Sequence, residues 1–150
     1  MTAPRTITKW SYITRLFGRK TISEGNMNSK KNLYSVQVCS TEFVTPAYWA
    51  DNRVPQAILF EYMKNGVRTQ GGIEFDFVAA VRLRSERCCT LWNSADVYDT
   101  LAEIENSEWK KEIYNDTQEL WRNKWEMHHY MIYLDSAGCF EVIAESWNAF

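Results

Sequence analysis

Residues Trp125–Trp147 read WEMHHYMIYLDSAGCFEVIAESW, two alternating runs on either side of Asp135-Ser136-Ala137-Gly138. Alternation of apolar and polar side chains around a glycine-containing turn predicts a β-hairpin. A three-residue loop ending in a left-handed Gly138 would pair Asp135 with Cys139, Leu134 with Phe140, Ile132 with Val142 and Tyr130 with Ala144. That register makes one apolar face. His129, Met131, Tyr133, Glu141, Ile143 and Glu145 fall on the other. A four-residue loop would set Leu134 and Ile132 beside Cys139 and Glu141 and mix both faces. Burial of one whole face selects register, so the first is favoured.

The favoured register sets His129 opposite Glu145 and next to Glu141. A cross-strand imidazole–carboxylate pair can serve acid–base chemistry. The same pair on open surface contributes about a few tenths of a kcal/mol and nothing else. His128 and His129 are adjacent, so a strand sends them to opposite faces and they cannot chelate one metal. The chain has no nucleophile elbow, no HExxH, no glycine-rich phosphate loop and no acidic metal motif, so no metal or cofactor is expected. Met131, Tyr133 and Ile143 make the second face partly apolar as well. Either helices cover it or it is a binding patch rimmed with acid; helices just upstream favour the former.

Upstream, "NLYSVQVCS" alternates as a half-buried strand, and "TPAYWADNRVP" reads as an irregular connection or a short helical turn begun at Pro46. "QAILFEYM" fits helix or strand, and its neighbour decides for strand. In "GIEFDFVAAVRLR", Ile73, Phe75, Phe77, Ala79, Val81 and Leu83 share one face of what reads as a single long strand, entered through the hairpin loop "KNGVRTQGG". "RCCTLW" reads as another strand. The period then changes. "SADVYDTLAEIE" predicts a helix capped by Ser94 that buries Val97, Leu101 and Ile104. "SEWKKEIYNDTQELWRNKW" predicts a second, capped by Ser107, burying Trp109, Ile113, Leu120 and Trp121, with an interruption at Asn115-Asp116. The expected fold is α+β: an antiparallel meander of five or six strands with its C-terminal hairpin, packed by two helices.

Composition separates an N-terminal segment from this domain. Residues 1–31 carry seven basic side chains against Glu24 alone, whereas the remainder carries ten basic and eighteen acidic ones. "TITKWSYITRLFGRK" places Ile7, Trp10, Ile13, Leu16 and Phe17 on one helical face, with basic residues elsewhere. Residues 1–30 are therefore expected to be a basic amphipathic helix and linker, and 31–150 a single domain. Residues 5–20 suit an anionic membrane surface, or packing on the chain's own domain or on a partner subunit, so homo-oligomer formation is compatible with them. Met27 would serve as an alternative start. No apolar run reaches the roughly 20 residues a spanning helix needs. Cys39, Cys88, Cys89 and Cys139 lack CxxC spacing and read as free, mostly buried thiols of a cytoplasmic protein.

Aromatic residues make up 15% of the 150, with seven Trp, suiting either core packing or a sticky surface. A strand-rich chain with acidic helices, many aromatics and no catalytic signature is similar in type to small bacterial and phage inhibitor or immunity proteins. That likeness implies a protein-binding module blocking a basic partner such as a nuclease or another nucleic-acid-handling protein. Asp99, Glu103, Glu105, Glu108 and Glu112 are the candidate acids, and Trp109 and Tyr114 the candidate anchors. The competing expectation is a small-molecule-binding or hydrolytic β-rich domain with His129, Glu141 and Glu145 at a cleft. Direct nucleic-acid binding is disfavoured, because an acidic body repels phosphate.

Overall fold

A computed structural model describes residues 28–150. The helix expected over 5–20, its linker and Met27 lie outside the described residues. The architecture is mostly antiparallel sheet with few helices, α+β in kind. Its strands are β1 (Ser29–Ser35), β2 (Thr45–Ala50), β3 (Gln56–Lys64), β4 (Val67–Asp76), β5 (Ala80–Arg84), β6 (Thr100–Glu105), β7 (His128–Leu134), β8 (Gly138–Ala144) and β9 (Ser146–Ala149). The helices are α1 (Leu91–Ser94) and α2 (Glu108–Asp116). In place of one meander, the described strands form two sheets, ordered β1-β6-β7-β8-β5 and β2-β3-β4-β9.

The sheets lie face to face over the main core. Ile58, Phe60, Ile73 and Phe75 come from the smaller sheet; Leu101, Tyr130, Ile132, Leu134, Phe140 and Val142 come from the larger. Phe75 and Tyr130 bridge them, with ring centroids 5.7 Å apart. A second cluster, Val97, Ala102, Ile104, Met131, Tyr133 and Cys139, packs on the outer face of the larger sheet. Both faces of β7 and β8 are therefore buried, and Met131 and Ile143 are fully inaccessible.

The stretch Gly72–Arg84 is two strands, not one. β4 ends at Asp76 and β5 begins at Ala80, with Phe77 in the left-handed region at φ 51° between them. β8 and β9 make the same crossing alongside: Asp76 pairs with Ser146 in one sheet and Ala80 with Ile143 in the other. The register slips by one residue across this corner, which Ala79 N–H to Ile143 O (2.8 Å) and Glu145 N–H to Asp76 O (3.0 Å) hold closed. A bend with a bulge is how strands pass between packed sheets.

Four further expectations are corrected. Thr100–Glu105 is strand β6, not helix. Leu101 faces the inter-sheet core while Ala102 and Ile104 face the outer cluster, and a strand buried on both sides loses the period-two signature. Asp96 (φ 62°) and Asp99 (φ 54°) also turn the chain left-handed where a helix would run. "RCCTLW" forms a single 3-10 turn, Glu86–Cys88, leading into α1, whose start Asn93 ties by accepting from the Thr90 N–H (2.7 Å) and hydroxyl (2.9 Å). "TPAYWA" is the edge strand β2, and Pro46 is tolerated there because the register shifts between Thr45 and Tyr48. All four cysteines are free, but only Cys139 is buried.

Candidate functional site

The hairpin keeps the expected division of faces with a different pairing. Leu134 pairs with Gly138, Ile132 with Phe140, Tyr130 with Val142 and His129 with Ile143. Partners are displaced by two residues, which preserves every side chain's face but moves Glu145 out of the pair. Glu145 lies at the bend between β8 and β9. The residue beside His129 is Glu141.

Around these two a chain of polar contacts runs through four segments. Ser107 caps α2, its Oγ accepting from the Lys110 N–H at 3.0 Å. The same Oγ lies 2.6 Å from His129 Nδ1, and His129 Nε2 lies 2.9 Å from Glu141 Oε1. Arg82, directly opposite Glu141 on β5, clamps it with Nε to Oε2 at 2.9 Å and Nη2 to Oε1 at 2.7 Å. Trp109 closes the assembly: the Arg82 guanidinium sits 4.1 Å over its ring, and its edge meets the His129 ring at 5.1 Å.

Burial alone would push the Glu141 carboxyl up. The hydrogen bonds from His129 and Arg82, together with Arg82's charge, overcome that and hold it at about 2. An ionised Glu141 can only accept, so His129 Nε2 carries a proton. Nδ1 can then accept from the Ser107 hydroxyl while Ser107 accepts from Lys110. This one tautomer satisfies Ser107, both ring nitrogens of His129 and Glu141 together.

Serine, imidazole and carboxylate in line have the polarity an acyl-transfer triad needs. All three side chains are closed to solvent, however: Ser107 is 1% exposed, and His129 and Glu141 are 4% exposed each. Among the described residues a cavity lies elsewhere, between α2 and residues 117–127. It measures about 690 Å³ and has Lys110, Lys111, Tyr114, Arg122, Trp125 and Met127 in its walls. Neither Ser107, His129 nor Glu141 lines it.

His128 points to the opposite face from His129, as adjacent strand residues must, and its Nδ1 lies 2.5 Å from Glu103 Oε1. Burial first, then the charges of Glu103 and Glu126, push the neighbouring Tyr130 hydroxyl up to about 12.

The structure divides the candidate binding residues between two places. Glu108, Trp109, Glu112 and Tyr114 share α2 with Lys110 and Lys111. Glu108 pairs with Lys111 at 2.7 Å, Trp109 packs on His129, and the Tyr114 hydroxyl donates to Asn123 Oδ1 at 3.2 Å. Asp99, Glu103 and Glu105 belong to β6 and the residue before it. Asp99 accepts from the Ser40 N–H at 3.1 Å, Glu103 holds His128, and Glu105 accepts from the Ser29 hydroxyl at 2.7 Å. Glu105, Glu108, Glu112 and Tyr114 are exposed. The partners that sequence reasoning missed are Arg82 and Ser107; the signal for each was present, Arg82 on a strand's polar face and Ser107 as a helix cap. Among the described residues no histidine, cysteine and carboxylate side chains group as a metal site, and no helix is long and apolar enough to cross a membrane. No protein-family model matches this chain, and neither curated proteins nor solved structures show a significant match to it.

Proposed function

We propose that the chain is a non-enzymatic protein-binding module of inhibitor or immunity type, presenting an acidic, aromatic-bearing surface to a basic partner such as a nuclease or another nucleic-acid-handling protein. One observation carries this reading: the most reactive-looking cluster, Ser107–His129–Glu141, is closed to solvent, its polar atoms bonded to one another and to the half-exposed Arg82. The same burial weighs against the hydrolytic alternative, and Glu145 lies outside the cluster, at the bend between β8 and β9.

The exposed acids remain for recognition. Glu105, Glu108, Glu112 and Tyr114 are all exposed in a chain whose residues 32–150 carry ten basic against eighteen acidic side chains. Long-range attraction would speed encounter with a cationic partner, and an aromatic side chain would supply a desolvated contact at its centre. The test is affinity capture from the native host with the wild type and with Glu108→Lys/Glu112→Lys. The reading expects a stoichiometric basic protein, captured by the wild type, weakened by the double variant and associating more slowly as salt rises. A partner that is acidic, or whose association ignores both the variant and the salt, would overturn it.

A further inference from the structure

The cavity between α2 and residues 117–127 has a character opposite to the body that carries it. Lys110, Lys111 and Arg122 line it in a domain that is otherwise acidic, and Glu126 is the one carboxylate in its wall. Lys111 shares Glu108 at 2.7 Å, and Glu126 reaches towards His128 Nε2 at 3.8 Å. Among the described residues Lys110 has no carboxylate partner. Arg122 has none either: Nε donates to Thr117 O and Nη2 to Asn115 O, both at 2.9 Å, bracing the end of α2. A guanidinium has five N–H donors, so Arg122 keeps donors to offer.

The rest of the wall is aromatic and apolar. Tyr114 and Trp125 present rings, and the buried Met127 lies beneath. Phe77 lies against Trp125, ring centroids 6.1 Å apart and planes 22° from parallel, fixing the indole. Trp125 contributes its ring and not its N–H, since Nε1 is sealed from solvent. At about 690 Å³ the cavity is of the size that holds small molecules, roughly 300–1,000 Å³. Apolar walls with a few convergent charges describe a ligand that is flat at one end and negative at the other.

We propose that this cavity binds a small aromatic anion, its ring against Tyr114 and Trp125 and its carboxylate or phosphate among Lys110, Lys111 and Arg122. The site is separate from the His129 cluster. It shares Tyr114 with the protein-binding surface, and Lys110→Gln, which that surface does not use, keeps the failure of one reading distinguishable from the failure of the other. The probes are phenyl phosphate and benzoate, with inorganic phosphate and benzyl alcohol as the charge-only and ring-only controls, titrated calorimetrically into the full chain at low salt. At least one aryl anion should saturate the site at a one-to-one ratio, at least about tenfold tighter than either control, because ring and charge are both needed.

Lys110→Gln should weaken that binding about fivefold, the effect of one exposed charge pair. Tyr114→Leu should reduce it to the level of inorganic phosphate. Melting curves identify a variant that has merely unfolded, and Lys110→Gln, an unpaired surface side chain, keeps the test decisive if Tyr114→Leu does so. Absence of saturation by both aryl anions, equal binding of inorganic phosphate, or indifference to Lys110→Gln would each overturn the proposal.

Discussion

Replacing Glu141 by glutamine removes one charge from the buried chain and keeps its shape, so it isolates what that charge contributes. Glu141 titrates at about 2 instead of its ordinary 4.5, which by linkage corresponds to about 3 kcal/mol of stability at neutral pH. Arg82 is 46% exposed on its side chain, so solvent screens part of the attraction and about 2–3 kcal/mol is the working figure. The folded-state value is depressed, so this stability is full above the ordinary carboxyl range and disappears as pH falls towards the folded value. By about pH 3, roughly 2 kcal/mol of the unscreened figure should be gone. Urea unfolding of wild type and Glu141→Gln at neutral pH and at about pH 3 reads this directly. The difference between the two proteins should shrink by more than half in acid. A difference that is absent at neutral pH, or unchanged in acid, would refute the reasoning that Glu141 is held ionised by Arg82 and His129.

Ser107→Ala should cost about 2 kcal/mol in chemical denaturation, because it removes the cap of α2 and leaves His129 Nδ1 without a partner. Two glycine substitutions should separate cleanly in thermal melts. At Gly66 (φ 75°) a Cβ meets nothing within 4 Å, so Gly66→Ala pays only the left-handed backbone, about 1 kcal/mol. At Gly138 (φ 108°) a Cβ would stand 2.1 Å from Arg84 O, so Gly138→Ala should prevent stable folding. A thiol reagent should modify the exposed Cys39 and Cys88 quickly. Cys139, buried and pushed up to about 12 by burial and then by Glu141, should react only on unfolding.

The hairpin shows what was legible in the sequence. A period of two fixes which face each side chain occupies, and an error of two residues in pairing leaves that untouched. His129 and Glu141 accordingly share a face, and Met131, Tyr133 and Ile143 are covered, although the first of the two helices expected to cover them is strand β6. The pairing was misjudged because Gly138 answers to two demands. It turns the chain, and it also admits the close approach of the Arg84–Glu86 backbone, which no local pattern announces. The corner at Phe77 was hidden for a similar reason. Two half-buried strands on either side of a bend keep one alternation, and neither glycine nor proline marks the break. β6 reads as helix in sequence because double-sided burial erases alternation while Val97, Leu101 and Ile104 happen to fall at helical spacing. Arg82 joined the cluster through a sheet pairing that only the tertiary fold creates.

The central claim is that the serine–histidine–glutamate chain braces the fold and is closed to substrates. The most direct measurement is intact-mass analysis of the folded full chain after prolonged incubation with a serine-reactive organophosphonate, followed by peptide mapping. The account predicts an unmodified chain, with Ser107 unlabelled while the protein stays folded. A single stoichiometric adduct on Ser107, formed without unfolding, would contradict it.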